Sequence, residues 1–424
     1  MNKEGLALFE SQILEFRYHY RWYITIARVL AQLGATLRYI ALLFVVYHLW
    51  HSPLSIGAAM GLSAVGKAFV APVGGFLADR TSRGTIILTA YISSASLMIT
   101  VCIISLIGVP MLVQVVLVLV TSWATEALDV LTGPVFSSGI ALLAKDAKLV
   151  KWMSEINAAT TAAQAVGLVL AGYFVQIFGG GIMLTVGGVC YLLSGLIAWK
   201  QMSTYIVASH ARPKGIGKGE QKESLRTKRQ AWKELWENKY VRYLLIIVAI
   251  SNIPHNAFLF LPFFISQRQH TGYIGFGFME AAVFLGTFAG NVLVRFTKTF
   301  HVREMLVLAF GVQTCAVLIL WIANQQSFWL TVTMVFLYGA TDALFTPAYA
   351  HMYLVVQPQF LGQVSGLFNA VATVVSPLAI ILSGWILRYY GMAYMFLGLS
   401  LAFAFLAIVS MSISHLSNVI SDVT

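Results

Sequence analysis

Apolar residues run through this chain in long blocks, separated by short clusters of charge, Pro, Gly and Ser. About 20 mostly apolar residues suffice for a helix to cross the hydrocarbon layer of a bilayer. Cutting at the polar clusters predicts spans at 22–47, 54–78, 85–107, 111–140, 154–178 and 182–200. A second set follows at 240–266, 272–297, 304–323, 327–355, 361–387 and 392–415. The pattern therefore predicts twelve transmembrane helices, six on either side of a polar stretch at 201–239. Ahead of them, Leu6, Phe9, Ile13, Phe16 and Tyr20 recur at helical spacing among charged positions, which predicts a short amphipathic helix on the membrane surface over 1–21. Glu4, Glu10, Glu15, Arg17 and Arg21 in that stretch argue against a cleavable signal. The expected plan is an amphipathic segment at 1–21, a six-helix bundle at 22–200, a basic linker at 201–239, a second bundle at 240–415 and a tail at 416–424.

Composition agrees. Of 424 residues, 59% are hydrophobic and 10% charged, against about 45–50% and 25% in soluble domains. A single soluble core stops growing near about 250–300 residues, so the excess apolar content excludes a soluble enzyme. Cys102, Cys190 and Cys315 sit far apart inside apolar blocks and build no disulfide framework or zinc site.

The formal charge of +11 would point to nucleic acid in a soluble protein, but basic residues also mark cytoplasmic loops. With the N-terminus inside, 22 of the 27 Lys and Arg fall in inside segments, and eleven of these lie between Lys200 and Arg242. Only Arg268 and Arg388 fall outside, while Arg28, Arg38 and Lys67 lie within spans. Both termini are thus expected in the cytoplasm, and no nucleic-acid partner is expected. Leu225, Trp232, Leu235 and Trp236 in the linker predict an interfacial stretch near the anionic inner leaflet.

The halves repeat weakly at a near-constant offset. Ile156–Ala159 matches Phe368–Val371 and Gly172-Tyr173 matches Gly384-Trp385, both at 212 residues. Glu126-Ala127-Leu128 matches Asp342-Ala343-Leu344 at 216, and Gly75…Arg80 matches Gly290…Arg295 at 215. Duplicated six-helix units produce such a signature.

At the end of span 2 the chain reads GGFLADRTSRG, Gly74 to Gly84. This resembles the loop 2–3 signature of the major facilitator superfamily, with Gly75, Asp79, Arg80 and Arg83 in register and Ser82 where a glycine is usual. The resemblance implies an all-α membrane fold of two six-helix bundles. It also implies that these four residues form a conformational latch, Asp79 lying near the N-terminus of span 11. Span 1, RVLAQLGATLRYIALLFVVYHLWHSPLSIG, resembles the multidrug and siderophore exporter branch. Many members of that branch carry an acid after the span 1 glycine; here Ala35 follows Gly34.

Ionisable groups inside a bilayer are costly and need a partner, a wet cavity or a task. Arg38 on span 1, Glu126 and Asp129 on span 4, Asn252, His255 and Asn256 on span 7, and Asp342 on span 10 fall on helices that the resemblance assigns to the central cavity. The same resemblance makes spans 3, 6, 9 and 12 lipid-facing. Glu126 and Asp129 share a helix face, so the two should not both ionise cheaply. With Asp342 they are the candidate proton-coupling groups. Arg38, Asn252, His255, Asn256 and Tyr349 are the candidate substrate-binding residues. For Arg38 a permanent salt bridge to a span 4 acid is the competing reading. Arg28 is expected to snorkel, and Lys67 and Glu280 to stabilise contact between halves. Tyr39, Trp123, Phe258, Phe260 and Phe345 are candidate cavity aromatics beside Tyr349. His48 and His51 lack an acid or cysteine beside them to complete a metal site.

No P-loop, Ser/His/Asp arrangement or zinc spacing appears, so neither a cofactor nor covalent chemistry is expected. The expected function is secondary transport by alternating access, with protons as the coupling ion and an amphipathic or zwitterionic cargo such as a siderophore, metallophore or drug, moved outward. Two readings compete: an importer or facilitator of a small anionic nutrient, and a non-transporting receptor or lipid-handling relative. A monomer in a bacterial inner membrane is expected.

Overall fold

The structure is a computed structural model. It describes residues 3–80, 83–107, 109–143, 147–206, 236–294, 296, 299–323, 326–356, 364, 368, 370–371, 374–412 and 419–421. Every expected span that falls on described residues is helical. Span 1 lies in Lys3–Trp50, span 2 in Pro53–Arg80, span 3 in Arg83–Ile107 and span 4 in Met111–Leu143. Spans 5 and 6 run through Ala147–Ile206, where Gly179 departs from helical geometry with φ of 80°. That left-handed φ is open to glycine at little steric cost, which is why the GGG at 179–181 reverses the chain here.

In the second half, span 7 is Lys239–Leu259 continued by Leu261–Arg268, span 8 is Gly272–Val294 and span 9 is Val302–Ile322. Span 10 is Phe328–Asp342 and Thr346–Val355 joined by a 3-10 turn at Ala343–Phe345. Span 11 is described over Ser376–Tyr389 and span 12 over Met392–Ser412. Among the described residues, nine stretches are long and apolar enough to cross a membrane, and one of them, Glu155–Gln201, is 47 residues long and holds two spans. A short antiparallel ribbon pairs Thr299–His301 with Val419–Ser421. The side chains left exposed are themselves apolar, Leu106, Phe288, Leu401 and Phe405 among them at 81%, 55%, 62% and 57%. That surface suits lipid as solvent.

The segment expected as a separate surface helix is continuous with span 1 in one helix of 48 residues. The interfacial stretch expected around Leu225 and Trp232 lies outside the described residues. So do the side chains of the latch residues Gly75, Asp79, Arg80 and Arg83, and that of Lys67.

The chain forms two compact units. The first holds 1–49 and 65–212; the second holds 50–64 and 213–424. In the first, spans 1 and 6 cross at paired glycines. A Cβ on Gly34 would stand 3.0 Å from the Gly187 carbonyl oxygen, and one on Gly187 would stand 3.2 Å from that of Gly34. In the second, span 8 presents Gly286 and Gly290 to span 10, where a Cβ would lie 2.1 Å from Phe336 O and 2.2 Å from Ala340 O. Facing them, a Cβ on Gly339 would lie 2.1 Å from Val283 O. Small residues at this spacing let helix backbones meet where lipid removes the hydrophobic drive for association. Thr287 Oγ1 adds a bond across the same seam to Gly339 O at 3.0 Å.

Candidate functional site: an acid–base pair in each half

In the first unit, span 1 carries Arg38 one helical turn beyond the Gly34 crossing, so its side chain reaches span 4. Arg38 is 4% exposed. Its Nη2 donates to Glu126 Oε2 at 2.5 Å and to Asp129 Oδ2 at 2.7 Å, while Nη1 donates to Thr125 Oγ1 at 2.7 Å. Span 6 supplies Tyr191, whose hydroxyl donates to Asp129 Oδ2 at 2.7 Å. Span 3 supplies Tyr91, packed on Tyr191 with ring centroids 4.9 Å apart. Both candidate proton acids of span 4 therefore share one guanidinium. Arg38, expected as a substrate clamp, is occupied by carboxylates of its own unit, which is the arrangement of the competing reading.

In the second unit, His255 Nδ1 lies 3.0 Å from the Tyr338 hydroxyl and 3.8 Å from Asp342 Oδ1. Tyr338 is fixed by Phe258, stacked 3.7 Å away at 16°. Span 10 breaks beside Asp342 for an identifiable reason. Pro347 has no N–H to bond the carbonyl four residues back, that of Ala343. The Thr346 N–H bonds it instead, tightening the turn to 3-10.

These groups border a cavity of about 240 Å³ lined by Asn252, His255, Gln313, Asp342 and Tyr349, with Phe310, Phe345 and Phe403 among its apolar walls. Gln313 is 2% exposed. Its Nε2 donates to Thr341 Oγ1 at 2.9 Å, and its Oε1 is buried with no hydrogen-bond partner. Gln313 and Phe310 come from span 9 and Phe403 from span 12, so these spans are not purely lipid-facing as expected.

Asn252, His255, Asp342, Phe345 and Tyr349 thus meet at one cavity of the second unit. Asn256 turns away from it: its Nδ2 donates to Asn252 O at 2.7 Å and to Ser376 Oγ of span 11 at 3.0 Å. Phe258 and Phe260 are buried and do not line this cavity. Trp123 is 39% exposed on span 4. Arg28 stands over the Phe136 ring, 4.9 Å from its centroid. His48 stacks on Phe44 at 4.1 Å, and His51 closes span 1 with φ of 47°. Glu280 is 5% exposed with Oε1 unpartnered, and it belongs to neither cluster.

Sequence reasoning missed Gln313, Tyr338, Tyr91 and Tyr191. A signal existed for the first: it is an amide in an otherwise apolar block. The repeat offset held another. Thr341-Asp342-Ala343-Leu344 follows Thr125-Glu126-Ala127-Leu128 by 216 residues, and His255 follows Arg38 by 217. Each unit therefore pairs a base on its first span with an acid on its fourth, next to a threonine that accepts a hydrogen bond.

A search of curated proteins returns no significant match. Among solved structures, the chain is similar to the nucleoside transporter NupG, with a TM-score of 0.69 and 14% identity over 93% of this chain and 98% of that one. It is similar to a bacterial homologue of the iron transporter ferroportin in an inward-facing state, with a TM-score of 0.70 and 12% identity over 95% and 99%. It is also similar to the xylose transporter XylE from E. coli, with a TM-score of 0.64 and 14% identity over 93% and 98%. At such identities the likeness is one of fold. The family model described as Major Facilitator Superfamily matches residues 24–371. With a match over most of its length, the chain belongs to that superfamily and is a multi-pass membrane transporter, not an enzyme.

Proposed function

We propose that the protein is a proton-coupled secondary exporter, moving an amphipathic or zwitterionic small molecule by alternating access. The observation that carries the proton assignment is the His255–Asp342 pair beside the second-unit cavity. A guanidinium keeps its proton under all ordinary conditions, so the Arg38 cluster has a permanent cation. In the corresponding place the second half has an imidazole, the side-chain type that serves as a proton shuttle. Glu126 and Asp129 remain candidates for a proton shared between two carboxylates around one cation, and Asp342 lines the cavity of the second unit. Asn252, His255 and Tyr349 are the substrate contacts of this reading. Arg38 and Asn256 position spans instead.

The basic loops support an orientation with both termini in the cytoplasm, and the single-chain plan supports a monomer in a bacterial inner membrane. The latch role of Gly75, Asp79, Arg80 and Arg83 rests on the loop signature. The fold serves nucleoside, iron and xylose transporters alike, so cargo has to be argued from the site. Outward direction rests on the likeness of span 1 to exporters.

The test uses liposomes holding a pH-sensitive dye under an imposed pH gradient, challenged with a panel of drugs, siderophores and amino-carboxylate metallophores. A solute that collapses the gradient with wild type and not with Asp342→Asn supports proton antiport. Solute movement without a pH response overturns proton coupling and favours a facilitator.

A further inference from the structure

We propose that the second-unit cavity is a binding site for a compact protonated amine, held through its N–H groups by Asp342 and Gln313 and enclosed by aromatic rings. The inference rests on the transporter reading above and names the cargo class of that cavity.

The chemistry follows from which polar atoms of the lining residues are left unsatisfied. Thr341 Oγ1 donates to Tyr338 O at 2.6 Å. Its lone pairs are then all it can offer Gln313, which must present its NH2 to Thr341. That fixes the amide: Gln313 Oε1 is the end left over, buried and without a hydrogen-bond partner among the described residues. A buried acceptor in that condition is unfavourable until something donates to it. Asp342 is the second acceptor among the lining residues, and His255 Nδ1 stands 3.8 Å from its Oδ1. That is beyond hydrogen-bonding distance. A carboxylate and an amide oxygen on one cavity select a ligand that donates, and the carboxylate selects a positive one.

The first repeat shows the same acid satisfied from within. There the Arg38 guanidinium donates to Glu126, Asp129 and Thr125. In the second repeat the corresponding base is the shorter His255. Its Nδ1 is engaged with the Tyr338 hydroxyl, and the cavity lies beside the acid. A cation entering from outside would make contacts to Asp342 and Gln313 of the kind that Arg38 makes in the other half. The remaining walls suit it. Phe310, Phe345, Tyr349 and Phe403 line the cavity, with Phe310 and Phe345 edge-to-face at 5.6 Å. Aromatic rings attract a cation, more strongly where water is excluded. The cavity, about 240 Å³, falls below the roughly 300–1,000 Å³ of drug-sized sites. It therefore takes a small amine or the amine head of a longer molecule.

The full-length protein in lipid nanodiscs would be titrated by calorimetry with three matched probes: phenethylammonium, its N,N,N-trimethyl analogue and neutral 2-phenylethanol. The expected order places the primary ammonium at least tenfold tighter than the quaternary ion, which has no N–H, and the alcohol weakest. Gln313→Leu and Asp342→Asn should each weaken the primary ammonium at least tenfold, and Gln313→Leu should leave the quaternary ion unchanged. Equal binding of alcohol and ammonium overturns the proposal. So does a Gln313→Leu protein that holds the ammonium as tightly as wild type. Should Gln313→Leu fail to fold, the ranking of the three probes on wild type still decides. If no amine binds while another solute collapses the liposome gradient, the amine site falls and the exporter reading stands. If the amine binds in the expected order but no solute crosses the membrane, the site stands and the exporter reading falls.

Discussion

Arg38 shows how one residue can be both costly and necessary. Its guanidinium is buried and answers two carboxylates at 2.5 and 2.7 Å. Removing one partner of a buried ion pair leaves an uncompensated charge and costs about 3–5 kcal/mol. Arg38→Met is therefore expected to destabilise the protein by that order, read as a lower thermal midpoint in detergent. The triple change Arg38→Met, Glu126→Gln, Asp129→Asn should recover most of the loss; no recovery would mean that Arg38 acts through packing instead. Glu280 presents the opposite case. It is buried at 5% exposure with an oxygen that no described residue satisfies. A buried carboxylate without a cation is unfavourable as a charge, so Glu280→Gln should keep or raise the thermal midpoint and leave solute flux intact. A collapse in flux at unchanged stability would assign Glu280 a part in transport. Arg38 and Glu280 were both visible in sequence as intramembrane charges. Which one has partners was not, because the partners lie 88 and 91 residues away for Arg38, while no described residue satisfies Glu280 Oε1.

Two helix features set where the site sits. Span 8 meets span 10 backbone to backbone at Gly286, Gly290 and Gly339, where any Cβ would fall within 2.1–2.2 Å of a carbonyl oxygen. Gly286→Val must push the helices apart, and overpacking of this kind costs about 1–3 kcal/mol. A drop in thermal midpoint is expected, with loss of ligand affinity at the neighbouring cavity, since span 10 carries Asp342. The second feature is the Pro347-induced 3-10 turn at Ala343–Phe345. Pro347→Ala would restore the hydrogen bond to Ala343 and continue the helix past Asp342. The thermal midpoint should rise while transport falls; unchanged transport would show that the break has no bearing on Asp342. The proline was plain in the sequence, but a proline marks only a boundary. That Asp342 stands at the turn and opens onto a cavity depends on how spans 7, 9, 10 and 12 assemble around it.

The whole molecule is two units from a duplicated plan, and orientation is the prediction proper to that scale. Single cysteines placed at Lys214 and at Tyr390, in a background lacking Cys102, Cys190 and Cys315, should differ in labelling of intact cells by an impermeant maleimide. Tyr390 in the loop after span 11 is expected to label and Lys214 in the linker to stay protected; the reverse pattern would overturn the inside placement of the termini. The fold class, and the spans that fall on described residues, were readable from the chain by itself. A bilayer imposes length and apolarity on each helix independently of its neighbours, so local composition is enough. The pairing of base and acid was half legible, since Arg38 and His255 stand one repeat apart, as do Glu126 and Asp342. Only the tertiary structure decided that Arg38 pairs with both acids of its own unit, that Asn256 turns to span 11, and that Gln313 of span 9 holds a buried acceptor that no described residue satisfies. Those outcomes depend on which face of each helix meets which neighbour. Apolar side chains satisfy lipid and protein interior alike, so hydrophobic patterning within a span does not fix that choice; contacts distant in sequence do.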